Sequence, residues 1–210
     1  MKPPEENDVA SDVDSPPYAA LPRLTKDQIN AFPIGRYQGP VHVIKNATQI
    51  DKAIRVLEGE TVLGFDTETR PSFRAGQHHL PAVLQLAGEQ AAYIFQLRHC
   101  RFPKGLRRLL SNPRIIKAGV ALDFDLRELN RLTPFEPAGF ADVGDLAKKA
   151  GCMNHGLRGL AALLLEFRVS KKSQTSNWSQ RVLTPAQIRY AATDAWVGRE
   201  LYFRLEPLQS

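Results

Sequence analysis

Two carboxylates separated by one residue lie at the end of the apolar stretch Val62–Thr69. In a β-strand, side chains at positions i and i+2 project from the same face, so Asp66 and Glu68 are expected to point together. Two like charges held side by side repel each other unless a cation or a shared proton is present. The pair is therefore a candidate metal site on a buried strand.

A third carboxylate follows in a segment that is expected to be helical. One apolar stripe at helical spacing is formed by Leu122, Leu126, Leu129 and Leu132. Asp125 falls roughly 45° from the centre of that stripe, whereas Asp123 lies more than about 100° from it. A carboxylate on the packed face needs a partner, while one on the outer face needs only water. Asp125 is thus the functional candidate, and Asp123 is interpreted as a helix-start residue.

The fourth carboxylate belongs to a C-terminal helix whose start is marked by Thr184, Pro185 and Gln187. Tyr190 and Asp194 stand at positions i and i+4, so they are expected on one helix face. That face also carries alanine, valine and leucine and is expected to point inward. Taken alone, the pair is equally compatible with a structural hydrogen bond between phenol and carboxylate.

Together, the four inward-facing carboxylates indicate a metal centre. The sequence offers no matching set of inward cations that would balance Asp66, Glu68, Asp125 and Asp194. Hard divalent cations prefer oxygen ligands, and Mg²⁺ or Mn²⁺ suits carboxylates supplemented by water.

The elements that must position these residues follow from periodicity and turn signals. Strands are expected at Val41–Ile44, Val62–Thr69, 82–87, 91–95 and 114–120, and helices at about 46–58, 104–111, 122–132, 142–150, 157–166 and 184–206. Three consecutive strands predict an antiparallel meander, and the later strand–helix alternation predicts parallel strands. The fold class is α/β, with a mixed five- to six-stranded sheet flanked by helices.

Charge and composition divide the chain into a tail and a body. The net charge of +6 hides a balance of −4 in residues 1–22, which also hold five of the fifteen prolines, and leaves +10 for residues 23–210. We expect a disordered acidic tail followed by a single basic domain, and a basic body suits a polyanionic partner. No apolar run approaches ~18 residues, so no membrane span is expected. With no signal-peptide pattern and two cysteines, Cys100 and Cys152, a reducing cytoplasm is expected.

These motifs resemble those of the DEDD 3′–5′ exonucleases over about residues 40–206. The resemblance is carried by Phe-Asp-x-Glu at 65–68, a glycine-led strand and helix ending in Asp125, and Tyr-x-x-x-Asp at 190–194. The tyrosine is typical of the DEDDy subgroup, which includes ribonuclease D and the Werner-type exonuclease domain. Arg189 occupies the position of the histidine that marks the other subgroup. Similarity also extends through residues 177–184.

The resemblance implies a ribonuclease H-like fold and a two-metal mechanism that releases nucleoside 5′-monophosphates from the 3′ end of a nucleic acid. By this resemblance, Asp66 bridges both ions, Glu68 and Asp194 hold the first, and Asp125 anchors the second. Tyr190 is implied to orient the attacking water, because a phenol with an ordinary pKa of about 10 is a poor base at neutral pH.

Further substrate contacts are predicted at Gln85, on the strand beside the active one, and at Lys172, Trp178 and Arg181, around the segment that guides the strand in related enzymes. Each has a structural alternative: Gln85 as a partner of backbone groups, Trp178 as a core anchor, and the basic residues as a solvated loop. His78-His79 is interpreted as solvated and Asp142 as structural.

Two other functions are kept open. Asp-Thr-Glu-Thr at 66–69 could be a distorted phosphatase motif with Asp66 as nucleophile, although that motif normally has an aspartate where Glu68 stands. A catalytically inactive nucleic-acid-binding module on the same fold is the second alternative, but none of the four carboxylates is missing. The sequence leaves open DNA or RNA, substrate length, and assembly into a homo-oligomer.

Overall fold

A six-stranded mixed sheet forms the centre of the computed structural model, which describes residues 23–72, 78–100 and 102–209. Its strands are β1 (Val41–Ile44), β2 (Val62–Thr69), β3 (Pro81–Ala87), β4 (Ala92–Gln96), β5 (Ile116–Gly119) and β6 (Phe140–Asp142), in the spatial order β1-β4-β3-β2-β5-β6. The meander β2-β3-β4 is antiparallel, and the β1–β4, β2–β5 and β5–β6 pairs are parallel. The predicted mixed sheet is confirmed, while the predicted tail, residues 1–22, lies outside the described residues.

Eight helices in the described part of the chain flank this sheet. They are α1 (Lys26–Ala31), α2 (Ala47–Leu57), α3 (Leu97–Cys100), α4 (Lys104–Leu110), α5 (Leu122–Leu132), α6 (Val143–Lys149), α7 (Leu157–Leu165) and α8 (Pro185–Leu205). The Asn46 side chain caps α2. Thr184 and Gln187 form a reciprocal capping box at α8, as the sequence predicts. Among the described helices, none combines the length and apolar character needed to cross a membrane.

The predicted strand at 114–120 is shorter in the structure, because the residues before it form a turn. The Asn112 side chain accepts a hydrogen bond from the amide of Arg114, and the Asn112 carbonyl accepts one from Ile115. The ladder with β2 therefore starts only at Ile116, opposite Val62. The single-turn helix α3 and the helix α1 are not predicted by the sequence pattern.

Strand β2 distributes its side chains between two helical layers. Phe65 belongs to the core that is formed with α2, α4 and α5. Gly64 faces the other layer, where a Cβ atom would lie 1.8 Å from the carbonyl oxygen of Ala195 in α8. Because strand residues alternate between faces, Asp66 and Glu68 lie on the same side as Gly64. The carboxylate pair is thus directed toward α8.

The close approach of α8 to the sheet depends on glycines. Besides Gly64, Gly198 of α8 has its Cα hydrogens against β5, and a Cβ there would lie 2.8 Å from the carbonyl oxygen of Ala118. Both distances are shorter than a normal van der Waals contact, and the obstructing atoms are backbone. Glycine at these positions lets the helix lie against the strand, and this packing brings Asp194 to the β2 carboxylates.

We expect the Gly64→Ala substitution to lower the free energy of unfolding by about 3 kcal/mol or more, because the added methyl group must displace α8 from the sheet. Urea denaturation measures the effect. Gly156→Ala is the matched control, since no atom lies within 4 Å of a Cβ placed there. Equal stability of the two variants would contradict the proposed packing constraint.

Candidate active site

Three carboxylates from two elements meet near the end of β2. One oxygen atom each of Asp66, Glu68 and Asp194 lies within 4.8 Å of the other two. Glu68 and Asp194 are buried, with 9% and 6% of their surface exposed, and Asp66 is half-buried. All three residues are among the sequence-predicted ligands. The structure brings Asp194 to the β2 pair although 126 positions separate it from Glu68.

Burial and mutual repulsion raise the pKa values of this group. Burial raises the pKa of Asp194 to about 7, although a hydrogen bond from Tyr190 acts against the change. The pKa of Glu68 rises to about 10, first through burial and then through the charges of Asp66, Asp194 and Asp125. Burial and the charges of Asp194 and Asp125 hold the pKa of Asp66 well above its usual range. The ionised cluster is unfavourable without a compensating positive charge.

The donor set fits a divalent cation. None of the ion pairs formed among the described residues involves these carboxylates. In addition, the Oδ1 atom of Asp194 is buried and has no hydrogen-bond partner there. Closely spaced carboxylate oxygens are the ligands that hard cations prefer, and a cation would satisfy both the charge and the unpaired oxygen.

Asp125 lies in the helical layer on the other side of the sheet from α8. It lies on α5, and its Oδ1 atom accepts a 2.7 Å hydrogen bond from the Thr67 hydroxyl. Burial raises its pKa to about 6, against the effect of that bond. It is not part of the compact group of three, but its charge contributes to the raised pKa values of Asp66 and Glu68. As predicted, Asp123 on the same helix is exposed.

Asp142 fixes the start of the helix that carries Asp125. Its Oδ2 atom accepts a 3.1 Å hydrogen bond from the Leu122 amide, and its Oδ1 atom accepts one of 2.8 Å from Gly144 at the start of α6. The preceding Ala121 has a left-handed conformation, with φ of 57°, which is unfavourable for a residue with a Cβ. Asp142 thus has the structural contacts expected from the sequence, and they stabilise the α5 start.

Tyr190 lies one helical turn before Asp194, and its hydroxyl is hydrogen-bonded to that carboxylate. The pKa of Tyr190 is raised well above its ordinary value, mainly by burial and then by the charges of Asp194 and Glu68. The Trp178 ring packs beside it, with 5.9 Å between ring centroids. The phenol is therefore neutral over the physiological pH range and acts as a hydrogen-bond donor.

Two residues predicted to contact a substrate lie behind the carboxylates. Gln85 is opposite Asp66 in the β2–β3 ladder, is fully buried, and donates a 3.4 Å hydrogen bond from Nε2 to Asp66 Oδ2. Trp178 is 1% exposed, and its indole N–H donates to the Gln174 carbonyl. Burial of Trp178 favours its alternative as a core anchor. Gln85 is closed to a ligand in this arrangement, and its observed partner is the Asp66 carboxylate and not the backbone.

The other predicted contacts lie at the surface. Lys172 lines a cavity of about 140 Å³ that adjoins the site and is also bordered by Arg36, Arg189 and Asp194. Arg181 is exposed and lines neither this cavity nor the main cleft. His78 is exposed, and neither it nor His79 belongs to the carboxylate group.

The carboxylates form the floor of a cleft of about 940 Å³. Its walls come from residues 23–29, 153–159 and 169–174. Two features of this site are absent from the sequence-based predictions: the hydrogen bond from Thr67 to Asp125 and the cleft wall formed by residues 23–29. The alternation in β2 could have identified Thr67, which must point toward α5 if its neighbours point toward α8. No local signal indicated that residues 23–29 reach the cleft.

Solved structures share the fold of this chain. The EXO domain of Aedes aegypti Nibbler matches with a TM-score of 0.75 and 21% identity, over 83% of this chain and 92% of that one. Trypanosoma brucei RNase D in complex with RNA U12 matches with a TM-score of 0.69 and 20% identity, over 80% of this chain and 63% of that one. At these identities the likeness defines the fold, which is ribonuclease H-like as predicted.

Sequence comparison defines the family. The 3′–5′ exonuclease family matches residues 41–209. The chain is 36% identical over 161 residues to the bifunctional 3′–5′ exonuclease/ATP-dependent helicase WRN of Mus musculus. This match covers 74% of the chain but only 11% of the WRN protein. It is also 30% identical over 203 residues to a 3′–5′ exonuclease of Arabidopsis thaliana. That match covers 88% of this chain and 70% of the Arabidopsis protein. The chain belongs to the 3′–5′ exonuclease family, and the predicted resemblance is confirmed.

Proposed function

We propose that this chain is an active, metal-dependent 3′–5′ exonuclease that hydrolyses single-stranded DNA or RNA from the 3′ end and releases nucleoside 5′-monophosphates. The observation that carries the proposal is the group Asp66, Glu68 and Asp194, whose oxygens lie within 4.8 Å of one another without a compensating cation among the described residues. Family membership and the RNA in the related RNase D structure support a nucleic acid as substrate.

We assign two Mg²⁺ or Mn²⁺ ions to the site. Asp66, Glu68 and Asp194 form the compact donor set for one ion, and Asp125, together with Asp66, is assigned to the other. When bound, such ions lower the pKa of water and stabilise the developing charge on the leaving oxygen. Among the chain's own residues, Thr67 and Gln85 orient the ligands. The Thr67 amide and Gln85 Nε2 donate to Asp66, and the Thr67 hydroxyl donates to Asp125.

Tyr190 is proposed to hold the attacking water by a hydrogen bond. Its raised pKa keeps the single proton on the phenol, where it is donated to Asp194. The hydroxyl oxygen then accepts a hydrogen bond from the water and orients it without removing its proton. The hydrogen bond to Asp194 fixes the hydroxyl at the floor of the cleft, next to the carboxylates.

We expect Tyr190→Phe to lower kcat by about 10- to 100-fold, because the ring and its packing remain while one oriented hydrogen bond is lost. KM and the pH dependence of kcat are expected to change little, since the phenol does not titrate in the working range. Steady-state kinetics on a labelled oligonucleotide measures both constants. Tyr202→Phe, on the same helix outside the cleft, is the control. Unchanged kcat in Tyr190→Phe would refute the assigned role.

A time course on 5′-labelled single-stranded DNA and RNA of equal sequence tests the proposed function. The reactions contain Mg²⁺, Mn²⁺ or EDTA, and the released products are separated from the shortened strands. A metal-dependent ladder that shortens from the 3′ end with release of 5′-monophosphates is expected. Intact substrate under every metal with retained binding would instead identify an inactive binding module. The comparison of the two sugars shows which nucleic acid is preferred.

A further inference from the structure

Residues 23–37, which we call the N-terminal strap, precede the part of the chain that matches the family, residues 41–209. The strap is nevertheless tied to the catalytic domain at its start. The Leu24 amide donates a 2.8 Å hydrogen bond to Asn154 Oδ1, and Asn154 Nδ2 donates a 3.3 Å bond back to the Leu24 carbonyl. On α7, the Arg158 guanidinium is hydrogen-bonded to the Asn30 side chain.

The end of the strap is fixed next to the active site. Arg168 is central to this contact: its amide donates to Pro33, its carbonyl accepts from Gly35 at 3.1 Å, and its Nε donates to Phe32 at 3.0 Å. The Tyr37 amide then donates a 3.1 Å bond to the hydroxyl of Thr193, the residue before Asp194. These bonds hold the strap in a defined position over the cleft.

Two strap residues supply positive charge to the cleft wall. Arg23 and Lys26 both line the cleft and are exposed. In the described part of the chain, no carboxylate forms an ion pair with either of them. Lys171 adds a further exposed cation to the wall. The wall is thus positive, and the floor carries the carboxylates. An anionic strand is attracted to the wall, while its end meets the carboxylates through bound cations.

We propose that the N-terminal strap is a second nucleic-acid subsite, in which Arg23 and Lys26 bind backbone phosphates on the 5′ side of the scissile bond. This inference rests on the proposed exonuclease function, because it takes the 3′-terminal nucleotide to lie at the carboxylates. A volume of about 940 Å³ is at the upper end of the range for small-ligand sites, about 300–1,000 Å³, which leaves room for more than a terminal nucleotide. Phosphate contacts carry no sequence information, so we expect the strap to bind without sequence preference. Only a substrate with phosphates upstream of the scissile bond gains these contacts, so the strap favours longer strands.

The test compares Arg23→Ala/Lys26→Ala with the control Lys52→Ala/Arg55→Ala. The control removes the same charge from exposed positions of α2 that do not line the cleft. For a single-stranded substrate of about 12 nucleotides, we expect the strap variant to lower kcat/KM by about tenfold. A dinucleotide without a 5′-phosphate has a single phosphodiester, the scissile one, and therefore offers the strap no phosphate; on this substrate both variants are expected to stay within about twofold of wild type. The charge-preserving variant Arg23→Lys/Lys26→Arg is expected to restore activity on the long substrate.

Equilibrium binding in EDTA tests the subsite without catalysis. For a fluorescent oligonucleotide of about 12 nucleotides, the strap variant should weaken binding by about tenfold and reduce the salt slope by about 1.4, since each single-strand phosphate contact contributes about 0.7. Binding equal to that of the control, or an equal loss of activity on the dinucleotide, would overturn the inference. Wild-type protein that binds through the strap but cleaves no substrate would instead refute only the exonuclease function.

Discussion

Replacing Asp66 by asparagine is expected to reduce exonuclease activity by at least about 1,000-fold, because a lost metal ligand removes several kcal/mol of transition-state stabilisation and each 1.4 kcal/mol is about tenfold in rate. Asp66 is central to the site: its charge raises the pKa of Glu68, and it accepts hydrogen bonds from Thr67 and Gln85. The amide has nearly the same shape, so the surrounding packing is kept. Oligonucleotide binding is expected to change by less than about threefold, because it depends mainly on phosphate contacts elsewhere.

Single-turnover cleavage and equilibrium binding separate these two effects. Asp123→Asn is the matched control, since this aspartate is exposed on α5 and is not one of the three clustered carboxylates. It is expected to retain wild-type activity. Residual activity of Asp66→Asn above about a tenth of wild type would contradict a role for Asp66 as a ligand of both metals.

Replacing Asp194 by asparagine is expected to stabilise the metal-free protein, with a gain that grows between about pH 4 and about pH 7. The pKa of this buried carboxyl is about 7 in the folded protein, compared with an ordinary value of 3.8. Between these values the folded state binds more protons than the unfolded state, so wild-type stability falls as the pH rises. A tenfold change in proton affinity corresponds to about 1.4 kcal/mol, so we expect a gain of roughly 2–4 kcal/mol at neutral pH.

Urea denaturation in EDTA at several pH values measures this gain. Asp145→Asn is the control with the opposite sign, because the pKa of this exposed carboxyl is lowered by its contact with Lys148. Addition of Mg²⁺ or Mn²⁺ is expected to stabilise the wild-type protein by mass action and the Asp194 variant much less. A gain that does not depend on pH would show that Asp194 is not held as a buried, destabilised carboxyl.

Local sequence patterns predict much of this protein. The two-residue period of β2 predicts that Asp66 and Glu68 share a face, and the four-residue spacing in α8 does the same for Tyr190 and Asp194. The cap at Thr184 marks the start of α8, as the structure confirms. These features depend on residues within one element, where backbone geometry alone sets the direction of each side chain.

Contacts between distant segments are not predicted by local sequence patterns. The hydrogen bond between Thr67 and Asp125 joins residues 58 positions apart. It forms only because α5 packs against the face of β2 that carries Phe65. Gln85 and Trp178, predicted to contact substrate, are buried because the sheet and α8 cover them. The exposure of a polar or aromatic side chain depends on what packs against it, which a local pattern does not encode.

Periodicity predicts that Asp66 and Glu68 share one face of a strand and that Tyr190 and Asp194 share one face of a helix, because spacing within one element is a local property of the chain. The family and the ribonuclease H-like fold are implied instead by the resemblance of the motifs, which the comparisons confirm. How closely Asp194 approaches β2 is set by the packing of α8 on the sheet, which the missing side chain of Gly64 allows. The tertiary structure also places residues 23–29 in a wall of the cleft. Both outcomes depend on long-range packing, in which a segment's position is set by the surfaces that it meets and not by its own residues.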